Sequence, residues 1–392
     1  MALSIRYSYE HLKVRGGRSA ATVTIIAMVV LATTLFCGLA SSIRRTLVST
    51  GSDRNLIVLR KGALNDGSSL ITLEDYRRVS LLTGVAQTAD GKPLVSPELV
   101  VEPSLVRPGG QRENAVVRGV EAVALDVHDD VHLTSGQMLR PSAGEAVIGR
   151  AALKRYGVNG VGSMLRFGRR EWKVVGVFES GGSAFESEIW VDVRELANNA
   201  RRPYPYSGLR LRIAAGTEAA ALARRIGDDQ QAALQAKSET DYYADQAKTA
   251  DGLFVLVIGL ALLAGTAATF GAANTLYASV QSRRREIGTL RALGFPSLAI
   301  LRSILMESAL LALGGFLLGC GLAWLASVVL DRALAGLAVG VANSARSQAV
   351  TLQISGADLG LAFALVLVIA LAGGLFPALR AARLQPAEAL RR

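Results

Sequence analysis

The segment from Ser282 to Gly319, SRRREIGTLRALGFPSLAILRSILMESALLALGGFLLG, carries the clearest structural signal in the chain. It lies between two long apolar runs and begins with three consecutive arginines. Residues 282–302 contain five basic side chains and a single acidic one, Glu286. Because arginine clusters beside apolar spans mark the cytoplasmic side of a membrane, these residues predict a cytoplasmic loop between two membrane spans.

The loop also has a helical period. Ile287, Leu290 and Leu293 recur every three residues, which places them on one face of a helix lying along the membrane surface. Gly294 and Pro296 end that helix, the first as a C-terminal cap residue and the second as a breaker. A loop needed only for topology has no use for an apolar face, so the pattern predicts a docking element.

The run Arg285-Glu286-Ile287-Gly288, followed by Arg291-Ala292-Leu293-Gly294, resembles the cytoplasmic signature of the FtsX-like/MacB-like permease family. These proteins are the membrane subunits of ABC transporters, which include macrolide exporters and lipoprotein-release complexes. The similarity continues through further matching blocks, namely Glu307-Ser308, Gly314-Gly315, Gly319, Phe376-Pro377-Ala378, Arg380-Ala381-Ala382-Arg383 and Pro386-Ala387-Glu388-Ala389-Leu390.

The resemblance implies partners that the chain itself does not contain. It implies two copies of a cytoplasmic ABC ATPase beneath a homodimer or pseudo-dimer of permeases, and it leaves open whether a periplasmic adaptor and an outer-membrane channel are further partners. It also implies ATPase-coupling residues, which are Arg285, Glu286, Ile287, Leu290, Arg291, Leu293 and Gly294. Glu286 and Arg291 are expected to make polar contacts with the ATPase, while the three apolar residues fill a groove on it.

Three residues of the next span are predicted to have structural or coupling roles. Glu307 is the only charged residue well inside an apolar span, and it lies close enough to Arg302 to pair with it. Gly315 and Gly319 form a small-xxx-small motif, which permits close helix contact in lipid. The sequence leaves open whether that contact is made within the chain or between two copies.

The composition indicates a membrane protein. Of the 392 residues, 51% are hydrophobic and only 6% aromatic. The net charge of +11 could indicate nucleic-acid binding, but 13 basic and three acidic residues lie in the short segments 1–19, 282–302 and 380–392. Residues 41–251 contribute only +2. The basic excess is therefore a topology signal, and it argues against nucleic-acid binding.

The sequence predicts a membrane α-helical protein with four transmembrane helices. A large extracytoplasmic α+β domain, an α/β lobe interrupted by a β-rich lobe, lies between helices 1 and 2. The predicted segments are a cytoplasmic amphipathic helix 1–19, spans 20–40, 252–281, 303–330 and 358–379, a MacB-like extracytoplasmic domain 41–251, a cytoplasmic coupling helix and loop 282–302, an extracytoplasmic loop 331–357 and a cytoplasmic tail 380–392. The first span is expected to remain uncleaved, because it is longer than a signal-peptide core. The predicted location is the bacterial inner membrane, with both termini cytoplasmic.

The extracytoplasmic domain has no cysteine, so it must fold on its own hydrophobic core. Thr72 and Asp75 form a capping box that opens a helix. Leu209 to Ile213 alternates as a half-buried strand, and Thr217 to Ala236 is predicted to be a helix. Strands are also predicted at 56–59, 98–101, 146–148, 164–167, 172–177 and 189–191.

No catalytic motif is found in the sequence. A phosphate-binding loop of the form G-x-x-x-x-G-K-[ST] is absent from the 392 residues, so ATP and Mg²⁺ are expected on a partner ATPase, and no cofactor or metal on this chain. Two alternatives remain. One is a non-transporting regulator of an extracytoplasmic cell-wall hydrolase. The other is a metalloenzyme built on His128 and His132. Zinc would need a third ligand, and the only other histidine of the sequence, His11, is predicted on the opposite side of the membrane, so a solvated acidic turn is the favoured interpretation.

Overall fold

The computed structural model describes residues 16–108, 110, 112–333, 338–340, 347–349 and 354–383. Most of the predicted amphipathic helix 1–19, and the tail from Leu384 with its Pro386–Leu390 block, lie outside the described residues. The chain divides into two compact units. The helical unit comprises residues 1–41, 252–332 and 352–392, and the α/β unit comprises residues 42–251 and 333–351.

Four long helices dominate the helical unit. Its helices, some of which begin or end in the α/β unit, are α1 (Gly16–Val48), α7 (Glu239–Ser282), α8 (Arg284–Ala292), α9 (Ser297–Ala333) and α10 (Gly356–Ala382). All but α8 contain stretches long and apolar enough to cross a membrane, which are Ser19–Val48, Phe254–Ser282, Ser297–Leu330 and Gly356–Ala382. The four predicted spans are therefore present as helices, while the residue boundaries predicted for each segment stay predictions.

The α/β unit is built from short elements. Its helices are α2 (Leu73–Ser80), α3 (Ala124–Val127), α4 (Arg150–Arg155), α5 (Val193–Asn199) and α6 (Ala219–Gly227), with a 3₁₀ turn at Ala184–Ser187. Its strands are β1 (Asn55–Arg60), β2 (Val95–Val101), β3 (Ser104–Val106), β4 (Arg112–Asn114), β5 (Val117–Val120), β6 (His132–Gly136), β7 (Glu145–Gly149), β8 (Met164–Phe167), β9 (Arg170–Glu179), β10 (Ile189–Asp192), β11 (Gly208–Arg212), β12 (Leu234–Ser238), β13 (Ala338–Gly340) and β14 (Ser347–Ala349).

Ten strands form one continuous sheet in the order β12-β1-β11-β2-β5-β10-β7-β9-β6, with β8 pairing on β9. Strands from the two ends of the segment, β1, β11 and β12, lie together and join the strands of the middle through the β2–β5 pair. The β5–β10 and β7–β9 pairs are parallel, whereas the others along this path are antiparallel. The predicted fold class, with a β-rich middle inserted into an α/β part, is confirmed.

One face of the sheet packs on the main hydrophobic core. Val117, Ile189 and Leu209 point into it from three different strands, together with residues of α2, α5 and α6. The predicted capping box of α2 is present. Asp75 N–H donates to the Thr72 hydroxyl, and the Asp75 carboxylate accepts from the Thr72 N–H at 3.0 Å.

Two local predictions are wrong. The helix predicted from Thr217 to Ala236 ends at Gly227, and residues 234–238 instead form strand β12, which pairs with β1. Gly227 is a poor helix former, and pairing with β1 satisfies the backbone of the following segment. The alternation of Leu209 to Ile213 was interpreted as a half-buried strand, yet Arg210 and Arg212 are also buried. Both faces of strand β11 are therefore excluded from solvent.

Candidate coupling segment and buried ionic cluster

Helix α8 covers most of the predicted coupling segment. It ends in a Schellman motif, in which Phe295 N–H donates to the Leu290 carbonyl at 3.1 Å and Gly294 N–H donates to the Arg291 carbonyl at 3.1 Å. Gly294 has φ +89°, a conformation that a residue with a Cβ adopts only with strain. Glycine is therefore needed at this position to turn the chain from α8 toward α9.

The three apolar residues of the predicted docking face do not share one role. Ile287 is buried in a cluster with Leu276 of α7, Ile300 and Ile304 of α9 and Ala378 of α10. Its predicted contact with a partner groove is therefore corrected, because the side chain packs within the chain. Leu290 is half-buried, and Leu293 is 72% exposed. Leu293, which directly follows α8, is the most exposed of the three side chains.

The charged residues of α8 differ in exposure. Arg285 and Glu286 are exposed. Arg291 is partly buried, and its Nη1 donates to the Phe295 carbonyl at 3.4 Å, within the same turn that Gly294 forms. Arg285 and Glu286 are thus placed where polar contacts with another protein can form, and Arg291 also supports the end of the helix.

Glu307 has a different partner from the one that its position in the sequence suggests. Its Oε2 lies 3.4 Å from Nη1 of Arg283, and its Oε1 accepts from the Ser279 hydroxyl at 3.2 Å. Arg302 is exposed and is not its partner among the described residues. Sequence distance favoured Arg302, but the end of α7 lies against α9 here. The carboxylate therefore ties α9 to the residue that precedes α8.

Gly315 and Gly319 lie where α9 meets α1. A Cβ added at Gly315 would come within 2.6 Å of the Ile26 side chain. One added at Gly319 would come within 2.6 Å of Val30 Cβ and 2.7 Å of the Ala27 carbonyl oxygen. The small-xxx-small motif is thus used for packing within the chain.

A buried ionic cluster lies on the second face of the sheet, at strands β2, β5 and β11 of the α/β unit. It joins Arg118 of β5, Arg210 of β11 and Glu98 of β2 with Asp66, His128, Glu188 and Glu239, and none of these side chains is more than 3% exposed. Glu98 Oε2 accepts from Arg118 Nη1 at 2.7 Å and also from Arg210 Nη1. Glu98 is therefore the carboxylate that both arginines share.

Both arginines have further partners. Arg118 forms a two-bond fork with Glu188, at 2.6 Å from Nε and 2.5 Å from Nη2. Arg210 donates from Nε to Glu239 Oε1 at 2.8 Å and from Nη2 to the Tyr243 hydroxyl at 3.1 Å. Because Glu239 and Tyr243 lie in the first turns of α7, the cluster fixes the start of that helix to the sheet.

The cluster determines the charge of Glu98. Burial alone would raise the pKa of this carboxyl, but Arg210, His128 and Arg118 outweigh burial and hold its pKa well below the usual value. The Phe185 ring lies under both guanidinium groups, with its centroid 5.3 Å from Arg118 Cζ and 5.7 Å from Arg210 Cζ. Glu98 is therefore ionised across the physiological pH range, in a site closed off by aromatic rings.

Sequence reasoning missed this cluster and misplaced His128. The side chain of His128 is buried, with Nε2 at 2.7 Å from Glu98 Oε1, so the predicted solvated turn is wrong at this residue. His132 is exposed on β6, and the described residues contain no group of three potential metal ligands. The only signal in the sequence was the alternation of Arg210 and Arg212 on β11. Such a pattern is also typical of a solvated strand face, so it does not by itself indicate a buried cluster.

Comparison with known families places the chain. A profile of the MacB-like periplasmic core domain matches residues 19–229, more than half of the chain, and a profile of the FtsX-like permease C-terminal region matches residues 249–386. The chain belongs to the FtsX-like/MacB-like permease family. The predicted recognition is confirmed, and this permease is a membrane protein of the ABC transporter class.

Several relatives are similar to this permease. The macrolide export ATP-binding/permease protein MacB of Shewanella sp. (strain ANA-3) is 26% identical, over 91% of this chain and 57% of the relative. MacB of Vibrio parahaemolyticus is 27% identical, over 60% of this chain and 35% of the relative. The permease thus spans between about a third and somewhat more than half of these relatives. The crystal structure of the periplasmic region of MacB from Actinobacillus actinomycetemcomitans matches with a TM-score of 0.39 and 14% identity, covering 50% of this chain and 94% of that one.

Proposed function

We propose that this permease is the transmembrane subunit of an ABC exporter, in which α8 receives the motion of a separate cytoplasmic ATPase. In this proposal two permeases pair above two ATPase copies, which bind ATP and Mg²⁺. The spans transmit the ATPase motion to the extracytoplasmic domain, which drives efflux or lipoprotein release at or beyond the outer face of the membrane. A periplasmic adaptor and an outer-membrane channel would complete the assembly.

The observation that carries the proposal is the position of Ile287. From α8 it reaches a cluster contributed by α7, α9 and α10, so a displacement of α8 bears on three spans at once. Arg283, immediately before α8, is paired with Glu307 of α9, which adds a polar tie at the same place. Close-packed interiors shift between discrete arrangements rather than deforming smoothly. A displacement of α8 would therefore be transmitted through this cluster to the three spans.

Two of the four spans, α7 and α1, continue into the α/β unit. Helix α7 begins at Glu239 in the ionic cluster and continues through Phe254–Ser282, and α1 runs through Ser19–Val48 to the segment before β1. Covalent continuity thus supplies the route by which span motion would reach the extracytoplasmic domain.

Leu293→Asp tests the docking role, because this side chain is 72% exposed and is not needed for packing within the chain. Full burial of a leucine in a partner groove contributes about 1.5–3 kcal/mol, so the aspartate should weaken ATPase binding by about 10- to 100-fold. The measurements are co-purification with the ATPase subunit and stimulation of its ATP hydrolysis. Leu298→Asp, the same change at a 51% exposed site at the start of α9, is the matched control. An unchanged complex in Leu293→Asp would rule out the docking assignment.

The orientation can be tested with single cysteines in a background lacking Cys37 and Cys320. Lys92 and Thr289 are both exposed side chains, in the α/β unit and on α8 respectively. A membrane-impermeant thiol reagent added to spheroplasts should label Lys92→Cys and leave Thr289→Cys unlabelled until the membrane is opened. Labelling of Thr289→Cys in sealed spheroplasts would reverse the proposed topology.

A further inference from the structure

An arginine-lined cavity lies where α7, α8 and α10 meet in the helical unit. Its volume is about 260 Å³, and its lining includes Arg284 at the start of α8, Arg380 and Arg383 at the end of α10, and Tyr277 and Gln281 of α7. None of the lining residues that the structure describes is acidic. The cavity thus gathers three positive charges from two helices that are far apart in sequence.

The three arginines have no carboxylate partner in the described part of the chain. No carboxylate oxygen lies within 4.0 Å of any of them there, whereas Arg283, their neighbour in sequence, is paired with Glu307. Nε of Arg284 is buried and has no hydrogen-bond partner among the described residues. The Arg380 guanidinium instead lies over the Tyr277 ring, 4.9 Å from its centroid. Like charges around one cavity repel each other, so an anion bound there would lower the energy of the site.

A phosphate group fits this chemistry. Guanidinium groups donate in a planar fork that matches phosphate oxygens, and two or three of them can share one phosphate. The free Arg284 Nε–H and the Gln281 amide supply further donors at the wall of the cavity. The volume is sufficient for a phosphate with a few attached carbon atoms.

The surroundings of the cavity indicate where that phosphate comes from. The cavity lies at the ends of the apolar stretches Phe254–Ser282 and Gly356–Ala382. Phe376 is 68% exposed and Leu379 38% exposed, within about one turn of Arg380 and on the side of the apolar stretch. Tyrosine and arginine at the end of an apolar helix lie at the level of lipid headgroups, with the acyl chains beside the helix.

We propose that this cavity binds the phosphate headgroup of an anionic phospholipid, whose acyl chains lie against the exposed apolar surface of α10. The proposal rests on the membrane assignment but not on ATPase docking. Because Arg284 belongs to α8, the bound lipid would link the coupling helix to α10 and would restrain α8 in the arrangement described here.

The test is native mass spectrometry of the full chain in neutral detergent, titrated with phosphatidylglycerol, phosphatidylcholine or inorganic phosphate. Wild-type protein should retain one phosphatidylglycerol per chain in preference to phosphatidylcholine. Arg380→Gln and Arg383→Gln should each weaken that binding about tenfold or more. Arg302→Gln removes one exposed charge of the same basic loop outside the cavity, and should bind as the wild type does. Arg383→Lys should retain more affinity than Arg383→Gln, since it keeps the charge without the fork.

Two results would contradict the proposed lipid site. Equal loss in Arg302→Gln would show diffuse attraction to a basic surface and would overturn the site. If inorganic phosphate saturates the cavity and displaces phosphatidylglycerol at the same concentrations, the cavity binds free phosphate. That result would overturn the lipid assignment. The melting temperature in lipid-free detergent identifies any variant that fails to fold. Lipid binding is then compared among the arginine variants that do fold. Leu293→Asp should bind phosphatidylglycerol normally, so failure of the cavity and failure of ATPase docking are distinguishable.

Discussion

Arg210→Met should lower the free energy of unfolding of the α/β unit by about 3–5 kcal/mol, a larger effect than that expected of the other variants proposed for this chain. The arginine is fully buried and donates to Glu98, Glu239 and Tyr243. Methionine fills much of the same volume but leaves Glu98 and Glu239 short of a positive partner in a site without water access. Removing one partner of a buried ion pair leaves the other charge buried and unpaired. That unpaired charge is the main cause of the expected loss of stability.

Urea unfolding of the full chain in detergent measures this effect. A Trp324→Phe background leaves Trp172 and Trp190 as the reporters, both fully buried in the α/β unit. Arg224→Met, the same change at an exposed position of α6, is the matched control and should stay within about 0.5 kcal/mol of the parent. An Arg210→Met variant as stable as this control would show that the cluster contributes nothing to folding.

The pKa of Glu98 determines the pH at which the unfolding should be measured. Its pKa is lower in the folded state than the value of about 4.3 for an unperturbed glutamate. Its ionised form therefore contributes stability that is fully present above the unfolded pKa and is lost as the pH falls through the lower, folded pKa. Unfolding at pH 7 reports the whole contribution, and the difference between wild type and Arg210→Met should shrink in strong acid.

Much of the fold could be predicted because it depends on local signals. Twenty or more apolar residues in a row have few alternatives to a spanning helix, and Thr72 with Asp75 specifies a helix start within four residues. Gly294 was predicted as a helix end, and its positive φ gives the physical reason. These features need no knowledge of distant residues.

Features that depend on distant residues could not be predicted. The pattern of Leu209, Arg210 and Leu211 is the same for a solvated face as for one that covers an ionic cluster. What distinguishes the two is Glu98, 112 positions away in the sequence, and Glu239 on α7. Burial of Ile287 and pairing of Glu307 with Arg283 likewise result from helix packing. Periodicity identifies the faces of α8 but not which residue of a face packs within the chain.

The packing of α9 on α1 gives the second large expected effect, in Gly319→Val. The new Cβ would meet Val30 Cβ at 2.6 Å and the Ala27 carbonyl at 2.7 Å, and neither atom belongs to the end of a flexible side chain. The two helices must therefore separate, which breaks contacts along α1. Overpacking costs about 1–3 kcal/mol, and the upper end is expected here because backbone is in the way.

Gly321→Val provides the matched control for this substitution. Gly321 lies two residues further along α9, and a Cβ built there meets nothing within 4 Å. Both substitutions replace glycine by the same β-branched residue inside one helix, so helix propensity changes equally and cancels in the comparison. Melting temperature and the folded fraction on gel filtration in detergent should fall for Gly319→Val and stay near the wild type for Gly321→Val. Equal behaviour of the two variants would mean that α9 can move away from α1 without loss of stability, and would overturn the role of Gly319 in this packing.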